Sequence, residues 1–69
     1  MKLSTRNQLA GTVTAVVTGE AMAGVEVQLD GGLEIISSIT KEAADDLGLV
    51  RGSKVVAPIK STEVALATE

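Results

Sequence analysis

The chain reads as all-β: a small OB-like barrel of about five strands, with one short helix between strands three and four. Three observations predict it. Apolar and polar residues alternate at period two over most of the length. Glycine-bearing turn signals separate the alternating runs. One stretch, following Thr40, abandons the alternation for helix-forming residues. An open meander sheet is the alternative; closure is favoured because it removes exposed strand edges.

In residues 9–18, Leu9, Val13, Ala15 and Val17 share one phase, and Thr12, Thr14 and Thr18 occupy the other. This predicts a first strand with one buried face. Gly11 stands on the apolar phase, which signals a bend or a close backbone approach. Gly19-Glu20-Ala21 turns the chain. Residues 24–30 give the clearest strand, with Val25, Val27 and Leu29 alternating with Glu26, Gln28 and Asp30. Asp30-Gly31-Gly32 is a hairpin signal, because glycine takes the positive φ of tight turns without steric cost. The return strand places Leu33, Ile35, Ser37 and Ile39 on one face and Glu34, Ile36, Ser38 and Thr40 on the other.

Thr40 then suits the N-cap of a helix over residues 41–47, with Glu42 in its first turn where negative charge favours the helix dipole. Gly48 followed by Leu49 predicts a left-handed C-terminal cap with an apolar contact. The helix has about two turns and is expected to pack through Ala44 and Leu47. After an Arg51-Gly52 turn, Val55, Ala57 and Ile59 alternate with Lys54, Val56, Pro58 and Lys60. Pro58 has no amide hydrogen and marks an edge or a bulge. Val64 and Leu66 start a last short strand, expected to fray at Ala67-Thr68-Glu69.

Residues 1–69 form one domain without linker, repeat or low-complexity tract. At this length a single core barely offsets chain entropy, so association with further copies is expected. The core must come from Val, Ile, Leu, Ala and two Met, since the chain has no aromatic residue. With no Cys and no His, disulfides are impossible and a structural zinc site is disfavoured. The net charge of −3 and the lack of rings argue against nucleic acid, which favours basic faces and stacking platforms. Neither a secretory leader nor a membrane-spanning apolar run is present, so a cytoplasmic location is the expectation. Nucleophilic triads and phosphate-cradling glycine loops lack their residues, and the reading is a binding protein, not an enzyme.

Two segments concentrate hydrogen-bond donors without a carboxylate among them: Ser4-Thr5-Arg6-Asn7-Gln8 and Lys60-Ser61-Thr62. Ser4 and Arg6 are two apart and share a side if that segment is extended. Thr40 adds a hydroxyl at a helix start, where free amides point outward. A fully deprotonated tetrahedral oxyanion offers only acceptors and needs such an all-donor shell. Taken singly, the same segments also read as a solvated terminus, a turn and a simple cap.

Together the segments carry a resemblance. Ser4, Arg6, Asn7, Gln8, Leu9, Gly11 and Val13, with Leu47-Gly48-Leu49, Gly52 and Lys60-Ser61-Thr62-Glu63-Val64 further on, closely resemble the Mop or molbindin domain. The resemblance covers essentially the whole chain. It implies an OB-like barrel assembled as a hexamer, a trimer of dimers, in which the first strand is exchanged or shared between subunits. It implies molybdate or tungstate as the bound ligand, held as the bare oxyanion at subunit interfaces, with no organic cofactor and no direct metal ligands. Carried over by position, Ser4 and Arg6 belong to one subunit; Thr40, Lys60 and Ser61 belong to its neighbour, joined by the backbone N–H of Ala43. Ala43 stands where some relatives carry Ser, Ile36 where some carry Thr, and Thr5 where Ala is usual, on the side opposite the ligand. A second class of site near the three-fold axis is also implied, without assigned residues. The function implied is molybdate storage, buffering or homeostasis in the cytoplasm. An OB-type structural or regulatory interaction module without its own ligand is the alternative.

Overall fold

A computed structural model describes residues 2–69. Its elements are β1 (Asn7–Thr18), β2 (Met22–Leu29), β3 (Glu34–Thr40), α1 (Lys41–Asp46), β4 (Lys54–Ile59) and a 3-10 turn at Ser61–Glu63. The strands form one antiparallel sheet in the order β3-β2-β1-β4. The sheet curls into a half-barrel around Val13, Val25 and Val27, against which Val16, Leu29, Ile35, Ile39, Leu49 and Val55 pack.

The β1 strand bends at the residue that the alternation singled out. A Cβ on Gly11 would lie 2.6 Å from the Gln28 carbonyl oxygen and 2.8 Å from Val27 Cγ1. Only glycine lets β2 come this close. Further on, the β1–β2 register slips between Val13 and Ala15, the signature of a β-bulge. The slip reverses the expected phase: Val16 pairs with Val25 and packs on the core, whereas Val17 is exposed. Strict alternation places Val17 inside, and the extra residue of the bulge turns it out.

The β2–β3 hairpin is a three-residue loop. The Gly32 N–H donates to the Leu29 oxygen at 2.8 Å and the Leu29 N–H donates to the Leu33 oxygen at 2.7 Å. Gly32 sits at φ +96°, the left-handed position that follows the turn in such loops. Leu33 is exposed at the loop edge, so the inward face of β3 begins at Ile35. The helix ends in a Schellman motif: the Leu49 N–H reaches the Ala44 oxygen at 3.1 Å and the Gly48 N–H reaches the Asp45 oxygen at 3.0 Å. Ala44 is buried as expected, but Leu47 is exposed, because it occupies the C-cap and the turn delivers Leu49 to the core in its place. Met22 is half exposed and contributes little to the core, and Met1 lies outside the described residues.

The fifth strand is not formed. A strand needs a ladder partner as well as alternation, and after the 3-10 turn residues 64–69 pair with no edge. Val64 and Leu66 are correspondingly exposed. The two sheet edges, β3 and β4, therefore flank an open seam, a groove of about 220 Å³ lined chiefly by apolar side chains, among them Ile39, Leu49, Val56 and Pro58.

The close approach at Gly11 makes a stability prediction. Gly11→Ala must displace either a backbone carbonyl or a core valine, costing about 1–3 kcal/mol and lowering Tm by roughly 5–20 °C. Gly31→Ala, with open space around it and no positive φ, should shift stability by less than about 0.5 kcal/mol. Thermal unfolding followed by far-UV circular dichroism separates the two.

Candidate functional site

The terminal segments meet because β1 and β4 run antiparallel with Asn7 opposite Ile59 as the outermost rung. Whatever precedes Asn7 must then leave the sheet beside whatever follows Ile59. Side chains reinforce that exit. Asn7 Nδ2 donates to the Ile59 oxygen at 3.2 Å, and Gln8 Nε2 donates to the Thr5 oxygen at 2.8 Å. The other wall is the 3-10 turn, held by the Glu63 N–H donating to the Lys60 oxygen at 2.9 Å.

Between the two walls lies a concavity of about 270 Å³ lined by Ser4, Thr5, Arg6, Lys60, Ser61 and Thr62. It holds two cations and four hydroxyls, and no carboxylate lines it. In a chain with net charge −3 this is a local reversal of sign. Neither Arg6 nor Lys60 makes an ion pair or a side-chain hydrogen bond among the described residues; the ion pair there is Lys41–Asp45 at 3.2 Å. A guanidinium fork can grip two oxygens of one anion, and an ammonium serves as a mobile point charge. The volume lies just below the roughly 300–1,000 Å³ typical of pockets for larger organic ligands. The arrangement suits a small, compact, multiply charged anion.

Of the six residues expected to form a site, the structure brings four together: Ser4, Arg6, Lys60 and Ser61. They do so within a single chain, whereas the resemblance divided them between neighbours. Thr40 and Ala43 lie elsewhere. Thr40 pairs with Met22, just past the Thr18 end of β1, and the concavity sits at the Asn7 end. Thr40 acts as the N-cap of α1, its Oγ1 accepting from the Ala43 N–H at 3.0 Å. The Ala43 amide is thus already engaged, while the Thr40 hydroxyl keeps its own hydrogen to donate. Ile36 is exposed on the outer face of β3 and does not line the concavity.

Thr5 and Thr62 also line the concavity. The resemblance puts Thr5 on the side opposite Ser4 and Arg6. That expectation assumed an extended segment, and the chain instead bends at Ser4 and again at Arg6. The signal available in the sequence was the hydroxyl run itself, Ser4-Thr5 facing Ser61-Thr62, without reference to phase. Asn7 and Gln8 do not line the cavity but fasten its walls.

With this geometry in place, comparison with known proteins decides the lineage. Residues 3–66 match the TOBE domain. The chain belongs to the TOBE domain family. Its relatives include small Mop proteins, as the terminal motifs implied. This TOBE domain is 41% identical over 66 residues to molybdenum-pterin-binding protein 3 of Clostridium pasteurianum, covering 96% of this chain and 97% of that protein. It is 44% identical over 69 residues to the molybdenum transport protein ModE of Herbaspirillum seropedicae. That match covers 100% of this chain but only 26% of ModE, so the TOBE domain spans about a quarter of that relative's length. Among solved structures, a molybdate-binding protein from Sporomusa ovata superposes with a TM-score of 0.92 at 40% identity, covering 99% of this chain and 100% of that one.

The cap at Thr40 gives a second prediction. Thr40→Ala removes the acceptor for the Ala43 N–H and should cost about 1 kcal/mol of stability, while Thr40→Ser retains it. Urea unfolding curves with a common slope would show the difference as a shift in midpoint.

Proposed function

We propose that this domain binds molybdate, with tungstate as a close equivalent, and serves molybdenum storage, buffering or homeostasis in the cytoplasm. The observation that carries the reading is the concavity where Arg6 and Lys60 converge with Ser4 and Ser61 and no carboxylate intrudes. The names of its relatives, a molybdenum-pterin-binding protein and a molybdate-binding protein among them, support the same ligand. The bare oxyanion suits the site better than a pterin, because a fused ring favours aromatic or broad apolar walls and the chain has no aromatic residue.

Arg6 and Lys60 offset the charge of the dianion, and the hydroxyls donate to its oxygens. An all-donor shell disfavours hydrogen phosphate, whose proton needs an acceptor. The single-chain concavity is open to solvent along one side, every lining residue except Thr5 being exposed. Enclosure comes from a neighbouring copy, whose Thr40 hydroxyl faces the anion and whose Ala43 amide exchanges the Thr40 oxygen for an anion oxygen. The assembly is a hexamer, a trimer of dimers. In this division Ser4, Arg6, Lys60 and Ser61 come from one chain and Thr40 and Ala43 from the next.

Isothermal titration calorimetry with molybdate tests the site. Arg6→Ala and Lys60→Ala should each lose about 1.5–3 kcal/mol of binding, roughly ten- to a hundredfold in affinity. Unchanged affinity in both variants would overturn the assignment, and no binding by the wild type would favour an interaction module without its own ligand. Native mass spectrometry tests the interface: hexamers that gain anions are expected, and a monomer that bound molybdate as tightly as the assembly would remove the role of the second copy.

A further inference from the structure

We infer that Thr5 is a further anion-binding donor of this site, its hydroxyl contributing to affinity beside Ser4 and Arg6. The inference rests on the reading of the concavity as an oxyanion site. Thr5 is one of its six lining residues and the least exposed of them, half-buried where the other five are exposed. Its hydroxyl makes no hydrogen bond among the described residues, and no side-chain oxygen there is both buried and unpartnered, so this hydroxyl is accessible and free to donate. Its carbonyl, by contrast, is held by Gln8 Nε2 at 2.8 Å. That bond fixes the main chain at Thr5 before any ligand arrives, which lowers the ordering cost of binding. Across the cavity Lys60, Ser61 and Thr62 form the other wall, so an anion between the walls is within the compass of Thr5 as well as Arg6.

The alternative is that Thr5 serves only as filler through its methyl group. Two substitutions separate these roles: Thr5→Val keeps shape and methyl but deletes the hydroxyl, and Thr5→Ser does the reverse. Neither touches the Gln8 contact, which is to the backbone. Calorimetry with sodium molybdate on the intact protein should show Thr5→Val weakened by roughly tenfold, and Thr5→Ser close to wild type. Equal affinity of Thr5→Val and wild type overturns the inference, and so does an equal loss in both variants. Arg6→Ala measured alongside distinguishes the levels of failure. If it weakens binding while Thr5→Val does not, Thr5 alone is wrongly assigned; if neither variant matters, the site reading falls and Thr5 with it. Should circular dichroism show Thr5→Val unfolded, Thr5→Ala deletes the same hydroxyl and is judged by the same comparison with Thr5→Ser.

Discussion

The structure depends on one strand serving two partners. β1 pairs with β4 from Asn7 to Thr12 and with β2 from Gly11 to Thr18, so both ladders are present together only at Gly11 and Thr12. A strand handed from one partner to another within two residues must curve sharply, and at that point no side chain fits: Gly11 lies against the β2 backbone. The bulge after Val13 completes the turn by re-aiming the second half of the strand, so that Val13 and Val16 both face the core. At the same place the Val50–Ser53 turn docks on β1, the Val13 N–H donating to the Ser53 oxygen and the Gly52 N–H donating to the Val13 oxygen. Curl, core and the start of β4 all follow from this handover.

The site is the far consequence of the same pairing. With β4 laid antiparallel on the front half of β1, two segments more than fifty positions apart in sequence leave the sheet together. They carry the donors Ser4, Arg6, Lys60 and Ser61 into one corner of an otherwise acidic domain. Asn7 and Gln8 belong to neither core nor cavity, yet their amide side chains tie the exiting chain to Ile59 and Thr5. The geometry of the corner is set by neutral hydrogen bonds, which leaves the charged groups unpaired.

How much of this was legible in the sequence follows from the range of the interactions. Features governed by local stereochemistry were readable: the Asp30-Gly31-Gly32 hairpin, the Thr40 cap, the Gly48-Leu49 termination and the close approach at Gly11 each rest on the φ, the size or the hydroxyl of one residue. Features set across strands were not. The bulge that exchanges Val16 for Val17 depends on how β1 fits β2, and alternation along one strand contains no trace of it. Val64 and Leu66 have the pattern of a strand but no edge to pair with. Donor chemistry identified four residues that meet in the concavity, since an anion needs cations and hydroxyls whatever the fold. The side of the chain on which Thr5 falls hinged on two bends that period-two reasoning had assumed away.

The ladder between β1 and β4 also has an entropic meaning. β1–β2 and β2–β3 join neighbours in sequence through short turns, whereas the Asn7–Ile59 contact closes a loop of 52 positions. A long closure costs more chain entropy than a short one. The meander β1–β2–β3 is thus held by local closures, and only the long-range β1–β4 ladder brings Lys60 beside Arg6. Without that ladder nothing holds the two walls of the concavity together. An anion held between those two walls would stabilise only the state in which β4 is paired with β1, so that ligand and long-range ladder would support each other.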